Sequence, residues 1–333
     1  MSVTSTYGFT EREAYRLAQL VNNRAFELII FPTEKCNFRC TYCYEDFAIG
    51  KMKRETINSV KELMKRRVDE LDELYLSWFG GEPLLAKDVI TELSSYAAEL
   101  AREHTALSYR GGMTTNGYFL DPPTFSALAK VGLLDYQISL DGPREVHNRT
   151  RVKAGGGESF DTIWKNLIAI RATDVPAQIT LRVHFSADTL SKIEPLIEEI
   201  KREFFADSRF KVYFKSIVRL GGDNDHNIQL LSFEEEQSAL KSLKEKLYGG
   251  DFLPSKEESY VCYASRPNSL VIRADGRIGK CTVALNDSRN VIGMLRPDGT
   301  LALDQKRIQP WLRGLRSMES DILACPLVGL PSE

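Results

Sequence analysis

Three cysteines close together in sequence restrict this chain more than any other feature. Cys36, Cys40 and Cys43 form a C-x3-C-x2-C triplet that directly follows a strand-like apolar segment at residues 26–31. Three thiolates on one short loop can bind three irons of a [4Fe–4S] cube and leave the fourth iron open. The alternatives are a stripe of buried cysteines on a helix and a structural zinc site. Helix-breaking residues in the loop disfavour the first, and the distance in sequence to the nearest histidine, His104, disfavours the second.

Composition narrows the class of protein. The chain has 333 residues, enough for one large domain and a smaller one, with 43% hydrophobic and 27% charged residues. The net charge of −2 gives no electrostatic basis for nucleic acid or an anionic membrane as partner. No apolar stretch approaches the roughly 20 residues needed to span a bilayer, and the start of the chain does not resemble a signal peptide. We therefore expect a cytoplasmic protein whose six cysteines are reduced metal ligands rather than disulfides.

Strand-like and helix-like segments alternate along the first two thirds of the chain. The predicted strands are residues 26–31, 74–78, 108–114, 136–140, 178–185 and 211–218. The predicted helices between them are residues 54–71, 86–103, 123–131, 160–172 and 191–205. Repeated βα units indicate a parallel α/β sheet, and six units are fewer than the eight of a closed barrel. The pattern predicts a partial (β/α)6 TIM-type barrel with functional residues at the carboxyl ends of its strands.

The remaining chain divides into smaller parts. Residues 1–25 are expected to form an N-terminal extension, and residues 26–220 the partial barrel. Residues 221–258 read as a linker and a helix, with a capping box from Ser232 to Glu235. Short β-like runs and turns after Gly249 predict a small α+β domain at residues 259–333.

Three further motifs follow predicted strands. They are Gly80-Gly-Glu-Pro83, Thr115-Asn-Gly117 and Ser139-Leu-Asp-Gly142. The cysteine triplet, with the aromatic Tyr42 just before its last cysteine, resembles the cluster loop of the radical S-adenosylmethionine (radical SAM) superfamily. The other motifs follow in the order that this family shows. The resemblance implies that Cys36, Cys40 and Cys43 bind a [4Fe–4S] cluster whose open iron takes SAM. Reductive cleavage of SAM would then give a 5′-deoxyadenosyl radical that abstracts hydrogen from a substrate.

The resemblance also implies a set of SAM contacts. The carbonyls of Gly80 and Gly81, with Glu82, would accept from the SAM ammonium, and Ser139 would contact the ribose. The arginines Arg151 and Arg182 offer a bidentate fork to the SAM carboxylate. The other implied SAM-site residues are Tyr42, Asn116 and Asp141.

Some of these positions have a purely structural alternative. The Gly80-Gly-Glu-Pro83 segment also fits a tight βα turn, and Asn116 also fits an Asn-Gly turn. Asp141 either contacts the ribose or shapes its turn. His147 and His184 are interpreted as structural histidines rather than catalytic ones.

The second cysteine set lies in the predicted C-terminal domain. Cys262, Cys281 and Cys325 resemble the auxiliary-cluster domain that follows many radical SAM barrels, in its longer SPASM or shorter "twitch" form. Three cysteines are too few for two clusters, so the resemblance implies one auxiliary [4Fe–4S] cluster. Val328 occupies the place of a fourth cysteine, so the fourth iron is expected to be open, to be bound by a group such as Asp321 or Glu319, or to receive the substrate. The alternative is three separate buried cysteines.

The expected substrate is a ribosomally made precursor peptide. Residues 260–269 and 272–276 resemble the peptide-modifying maturases, which introduce cross-links, oxidations or epimerisations. Only about 25 residues precede the first strand, so we expect either a separate leader-peptide-binding protein as partner or a substrate that the enzyme recognises directly. A flavodoxin or ferredoxin type of electron donor is expected as well. The alternatives are a radical SAM dehydrogenase of small carbinols or amino sugars, and a non-catalytic iron–sulfur or zinc protein.

Overall fold

A computed structural model describes residue 18 and residues 20–249 and 260–331 of the chain. Within these ranges, helices and strands alternate as the sequence predicts. The strands are β1 (Ala25–Ile30), β2 (Phe38–Cys40), β3 (Glu73–Trp78), β4 (Ser108–Thr115), β5 (Leu133–Leu140), β6 (Arg151–Lys153), β7 (Gln178–Phe185), β8 (Phe210–Ser216), β9 (Ser269–Ile272), β10 (Arg277–Gly279), β11 (Gly293–Leu295) and β12 (Leu301–Leu303). The α-helices are α1 (Arg54–Arg67), α2 (Lys87–Glu103), α3 (Pro122–Lys130), α4 (Arg144–Thr150), α5 (Phe160–Arg171), α6 (Glu194–Phe204), α7 (Phe233–Tyr248), α8 (Gln305–Ser317) and α9 (Ser320–Ala324).

One large sheet organises these elements. Its strand order is β12-β11-β10-β9-β1-β3-β4-β5-β7-β8. All pairs from β9 to β8 in this order are parallel, whereas β9 to β12 pair in antiparallel fashion. The six predicted strands correspond to β1, β3, β4, β5, β7 and β8. The predicted α/β class with a partial TIM-type barrel is therefore confirmed.

Strand β9 is the unexpected member of the parallel sheet. It lies beside β1 in the register Glu27↔Ser269 to Ile30↔Ile272. All four of its side chains are buried, as is typical of a strand inside a parallel sheet rather than at its surface. The predicted C-terminal domain therefore begins with a strand that extends the barrel sheet. The division at residues 220 and 259 remains a prediction.

The sheet has one apolar face under the helices and one more polar face. Along β7, alternate residues are fully buried, among them Leu181 and Val183, while Arg182 and His184 between them are only partly buried. Successive side chains of a strand point to opposite faces, so the aliphatic residues pack under the helices. The polar residues face the opening of the barrel.

One helix prediction needs correction. The helix expected at residues 54–71 ends as an α-helix at Arg67 and continues as a 3-10 turn, Val68–Glu70. The predicted α+β region after Gly249 contains the helices α8 and α9, whose positions the sequence pattern did not specify. The Asp304 carboxylate caps α8, but Pro310 within the helix hid its pattern in the sequence. The predicted capping box of Ser232 and Glu235 is confirmed at the start of α7.

Five further 3-10 turns connect the elements: Pro83–Ala86, Leu190–Lys192, Asp225–Asn227, Tyr263–Ser265 and Ser288–Asn290. No helix in the described ranges is both long and apolar enough to cross a bilayer.

Candidate active site

The cysteine triplet lies in a loop, residues 32–44, that leaves the carboxyl end of β1; we call it the cluster loop. Its start is fixed by a hydrogen bond from the Met52 amide to the Pro32 carbonyl, at 2.8 Å. Its middle forms the short strand β2, which pairs with β6. Its end turns back where the Cys43 amide donates to the Cys40 carbonyl, at 3.1 Å. The three cysteines are held on one backbone frame and stay partly exposed.

The electrostatics of the three thiols fit a metal cluster. Burial raises the pKa of Cys36 and Cys40, and it raises the pKa of Cys43 to about 12. Negative charge on Glu82, Cys40 and Cys43 raises the pKa of Cys36 further. The Phe38 amide already donates to the Cys36 sulfur, at 3.3 Å. Thiols of this kind are protonated until an iron cluster binds and displaces their protons.

The glycine motif after β3 packs directly under the cluster loop. Gly80 has φ +122°, and a Cβ atom added to it would overlap the Thr33 carbonyl oxygen. A Cβ atom on Gly81 would lie 2.6 Å from the Lys35 carbonyl oxygen. Only glycine permits this close approach of two backbone segments. The tight turn that was the alternative interpretation is therefore present and supports the cluster loop.

The Glu82 carboxylate is fully buried and joins the ends of two strands. It accepts hydrogen bonds from the Leu84 amide at 3.0 Å, the Thr115 hydroxyl at 2.8 Å and the Asn116 amide at 2.8 Å. Burial raises the pKa of Glu82, and these donors act against that rise. The structure thus assigns Glu82 a set of protein partners, while its predicted contact with the SAM ammonium remains a prediction.

Asn116 makes the Asn-Gly turn and also contacts the cluster loop. Its side-chain oxygen accepts from the Tyr118 amide at 2.9 Å, which is the turn interaction expected as the alternative. Its side-chain nitrogen donates to the Asn37 side chain at 2.8 Å. The Thr115-Asn-Gly117 motif is therefore tied to the residue next to Cys36.

A buried polar network links the cluster loop to β5, β6 and β7. The Tyr42 hydroxyl donates to the Asp141 carboxylate at 2.9 Å and accepts from the Arg151 guanidinium at 2.8 Å. His184 Nδ1 lies 3.2 Å from the same carboxylate, and the Thr150 hydroxyl donates to it at 2.8 Å. Arg151 belongs to β6, opposite Cys40 in the register, and its Nε atom is buried without a partner. Three of the predicted SAM-site residues, Tyr42, Asp141 and Arg151, therefore contact one another.

The network stabilises a charged aspartate and neutral histidines. Burial opposes ionisation of Asp141, but the nearby Arg151 cation and His184 hold its pKa below the usual range. Burial, with the Arg151 charge, lowers the pKa of His147 to about 3. Burial also lowers the pKa of His184. The Asp141 amide donates to His147 Nδ1 at 3.4 Å, so this histidine supports the turn after β5.

Ser139 and Arg182 are neighbours on the polar face of the sheet. They are paired in the register of β5 and β7. Ser139 is buried, and the Arg182 guanidinium lies over the Tyr213 ring with its Nε atom buried and without a hydrogen-bond partner. Both predicted site residues therefore lie on the same side of the sheet as His184.

The second cysteine set is assembled from three distant segments. Cys262 lies just before the turn Tyr263–Ser265, Cys281 follows β10 and Cys325 follows α9. The Cys262 amide donates to the Leu323 carbonyl at 2.9 Å, which ties the first segment to the third. Burial raises the pKa of Cys262, and the charges of Cys281 and Cys325 raise it further. In the described ranges, no group of three or more histidine, cysteine, aspartate or glutamate side chains is arranged to hold a single metal ion. This holds for both cysteine sets.

A hydrogen-bonded bridge connects the two cysteine sets. The hydroxyl of Tyr44, next to Cys43, donates to the carbonyl of Thr282, next to Cys281, at 3.1 Å. The Thr282 amide donates to the hydroxyl of Tyr263 at 2.9 Å, and Tyr263 follows Cys262. One short chain of contacts therefore runs between the two candidate cluster sites. Sequence reasoning missed it because nothing in the pattern pairs these residues.

A buried ion pair lies beside that bridge. Glu34, in the cluster loop, accepts from Arg273, which directly follows β9, at 2.9 Å and 2.5 Å. Both side chains are almost fully buried, and Arg273 also donates to the Leu285 carbonyl at 2.8 Å. A buried bidentate pair of this kind orients both backbones. In the sequence, this ion pair is indicated only by an acid two residues before Cys36 and by an arginine at the end of an apolar run.

Comparison with known proteins identifies the class that this fold and site define. The family model described as "Radical SAM superfamily" matches residues 30–200 of the chain. The protein therefore belongs to the radical SAM superfamily. As a member, it is an enzyme that uses a [4Fe–4S] cluster and SAM.

Named relatives act on different substrates. The Fe-coproporphyrin III synthase of Methanosarcina barkeri is 25% identical over 217 residues, 64% of this chain and 49% of that protein. A cysteine-type anaerobic sulfatase-maturating enzyme of Clostridium perfringens is 30% identical over 148 residues, 41% of this chain and 38% of that protein. The chain thus spans about half or less of the length of these two relatives.

A solved structure of Streptococcus suis SuiB bound to the precursor peptide SuiA resembles the fold of almost the whole chain. The TM-score is 0.61 at 16% identity, over 96% of this chain and 74% of that one. The likeness includes the C-terminal region with the second cysteine set, so the fold is shared beyond the barrel.

Proposed function

We propose that this radical SAM enzyme modifies a peptide substrate, with Cys262, Cys281 and Cys325 holding one auxiliary [4Fe–4S] cluster. The observation that carries the proposal is the direct link between the two cysteine sets through Tyr44 and Thr282. An isolated structural site would not need contact with the catalytic loop. The SuiB fold, seen with a precursor peptide, and the sulfatase-maturating relative both favour a polypeptide substrate.

In this proposal, the side chains of the barrel hold and orient SAM. When bound, the cluster and SAM together supply a 5′-deoxyadenosyl radical that abstracts hydrogen. Cys36, Cys40 and Cys43 would hold the cluster, and the carbonyls of Gly80 and Gly81 would accept from the SAM ammonium. Because Asp141 already pairs with Arg151, the network presents a nearly neutral surface to the cosubstrate. Ser139 lies on the same face and would contact the cosubstrate.

The second cysteine set has one exposed member, Cys325, and one buried member, Cys281. Its three thiols would hold a cluster and leave one coordination position for another group. Asp321 and Glu319 lie on or next to α9 and are the protein groups that could fill it. A substrate atom is the other possible ligand. A flavodoxin or ferredoxin type of protein would supply electrons, and a separate leader-peptide-binding protein would deliver the substrate.

The test is anaerobic reconstitution with iron and sulfide, reduction with dithionite and addition of SAM with candidate precursor peptides encoded beside the gene. We expect about eight irons per chain, 5′-deoxyadenosine, and a peptide whose mass shows loss of hydrogens or whose residues are epimerised. Cleavage of SAM without change in any peptide, combined with turnover of a carbinol or amino sugar, would overturn the peptide assignment. The similarity to an Fe-coproporphyrin III synthase is the observation that favours this small-molecule alternative.

A further inference from the structure

Three basic side chains share the polar face of the last two parallel strands. In the register of β7 and β8, Arg182 pairs with Tyr213, and Lys215 pairs with His184. Lys211 lies two residues before Tyr213, so it points to the same side. The opposite face of these strands carries Leu181, Val183 and Phe214, which are buried under the helices. The three cations therefore project from the side of the sheet that faces the barrel opening.

These cations have no acidic partner in the described part of the chain, where no carboxylate forms an ion pair with Arg182, Lys211 or Lys215. The Nε atom of Arg182 is buried without a hydrogen-bond partner, and its guanidinium lies over the Tyr213 ring, 5.8 Å from the ring centre. Three like charges on adjacent strands repel one another, and an unpaired buried donor costs free energy. An anionic ligand would relieve both penalties.

This basic face lies beside the cluster loop. His184, which pairs with Lys215 and is two residues from Arg182, contacts Tyr42 of that loop at 3.3 Å. A ligand held by the basic face would therefore be near the first cysteine set.

We infer that Arg182, Lys211 and Lys215 bind acidic side chains of an extended peptide substrate. The inference rests on the proposed function and specifies its substrate as a peptide with aspartate or glutamate near the modified residue. The spacing supports a peptide rather than a single small anion. Lys211 and Lys215 are four residues apart on one strand, about 13 Å, and Arg182 lies level with the position between them. Alternate side chains of an extended peptide, about 6.6 Å apart, match this ladder.

The test measures binding of a fluorescent peptide of alternating glutamate and glycine to the reconstituted enzyme by anisotropy. A peptide with glutamine in place of glutamate is the matched ligand control. We expect the glutamate peptide to bind at least about tenfold more tightly, because charge-assisted hydrogen bonds are lost with glutamine. The preference should decline as salt is added. The combined variant Arg182→Gln, Lys211→Gln and Lys215→Gln should lose it, while Lys165→Gln, an exposed lysine on α5, should retain it.

Two outcomes would overturn the inference. One is equal binding of the glutamate and glutamine peptides to the wild-type enzyme. The other is a combined variant that keeps its peptide preference but loses SAM affinity in calorimetry, which would assign these cations to the SAM carboxylate. The charge-conserving variant Arg182→Lys with Lys215→Arg should keep most of the preference for the glutamate peptide over the glutamine peptide. Failure of the proposed function is separate, because it would appear as unmodified precursor peptides even where acidic peptides bind.

Discussion

The two cysteine sets of this protein are built in opposite ways. The first set lies within one loop, whose shape is fixed by β2, by a turn at Cys43 and by the glycines packed beneath it. The second set comes from three segments that meet only when β9, β10 and α9 are in place. A site made by one loop is visible in sequence as a motif, whereas a site made by tertiary contacts is visible only as scattered residues. The first cysteine set should therefore depend less on the rest of the fold than the second set does.

The largest expected effect tests that independence. Replacing Cys36, Cys40 and Cys43 together by alanine should abolish SAM cleavage and leave about four irons per chain at the second set. The two sets share no cysteine, so the second should still assemble. The measurements are 5′-deoxyadenosine production and iron content after reconstitution. Residual 5′-deoxyadenosine would contradict the assignment of the catalytic cluster.

The converse change should separate radical formation from turnover. Cys281→Ala is expected to retain SAM cleavage while eliminating modified peptide, because the barrel set does not use this thiol. Product analysis and 5′-deoxyadenosine should be measured on the same sample. Ser265→Ala, which changes a nearby buried hydroxyl and no ligand, is the matched control. Normal product from a folded Cys281→Ala enzyme would reduce the second set to a structural role.

We expect the Glu34–Arg273 ion pair to be the most stabilising contact between the cluster loop and the segment that follows β9. Glu34→Gln leaves the Arg273 cation buried without its partner, which should lower the free energy of unfolding by about 3–5 kcal/mol. Replacing both residues, Glu34→Leu with Arg273→Met, should cost much less because no charge remains unpaired. Urea denaturation of the cluster-free protein measures both. Equal losses in the two variants would show that packing, not charge, makes the link.

The buried network around the first set should make stability depend on pH. The pKa of His147 is about 3 in the folded protein, below the roughly 6.5 of an exposed histidine. The unfolded chain therefore binds the extra proton between these values, and the free energy of unfolding falls as the pH drops from about 6.5 towards 3. His147→Gln should remove a slope of about 1.4 kcal/mol per pH unit from that window. Identical pH profiles in the two proteins would contradict the neutral buried state.

The smallest effect should come from the bridge itself. Tyr44→Phe removes one hydrogen bond to the Thr282 carbonyl, at an expected cost of about 1 kcal/mol in stability. If the two clusters communicate through this contact, the same change should also alter the electron paramagnetic resonance signal of the second cluster. A changed stability with an unchanged signal would show that Tyr44 only stabilises the fold. Tyr96→Phe, a tyrosine on α2, serves as a control of equal size.

Sequence predicted what depends on local pattern. The alternation of strands and helices gave the barrel, and the motifs gave the loops that meet at its edge. It did not predict the partners of buried charges, because the pairing of Glu34 with Arg273, or of Tyr42 with Asp141, depends on how distant segments pack. For the same reason the sequence did not show that Arg151 lies beside Asp141, while its predicted pairing with the SAM carboxylate stays a prediction. The grouping of Arg182 with Lys211 and Lys215 depends on the register of β7 and β8, which the sequence does not show.

The position of β9 has a consequence for how the chain folds. Strand β1 is made early, but the partner on one of its two sides, β9, is made near the far end of the described chain. Until then, β1 exposes an edge of unpaired backbone groups beside apolar side chains, which is a site for wrong pairing with other chains. Contacts of such long sequence separation also slow folding. A truncated chain ending after β8 should therefore aggregate, even though it would contain all the residues of the cluster loop.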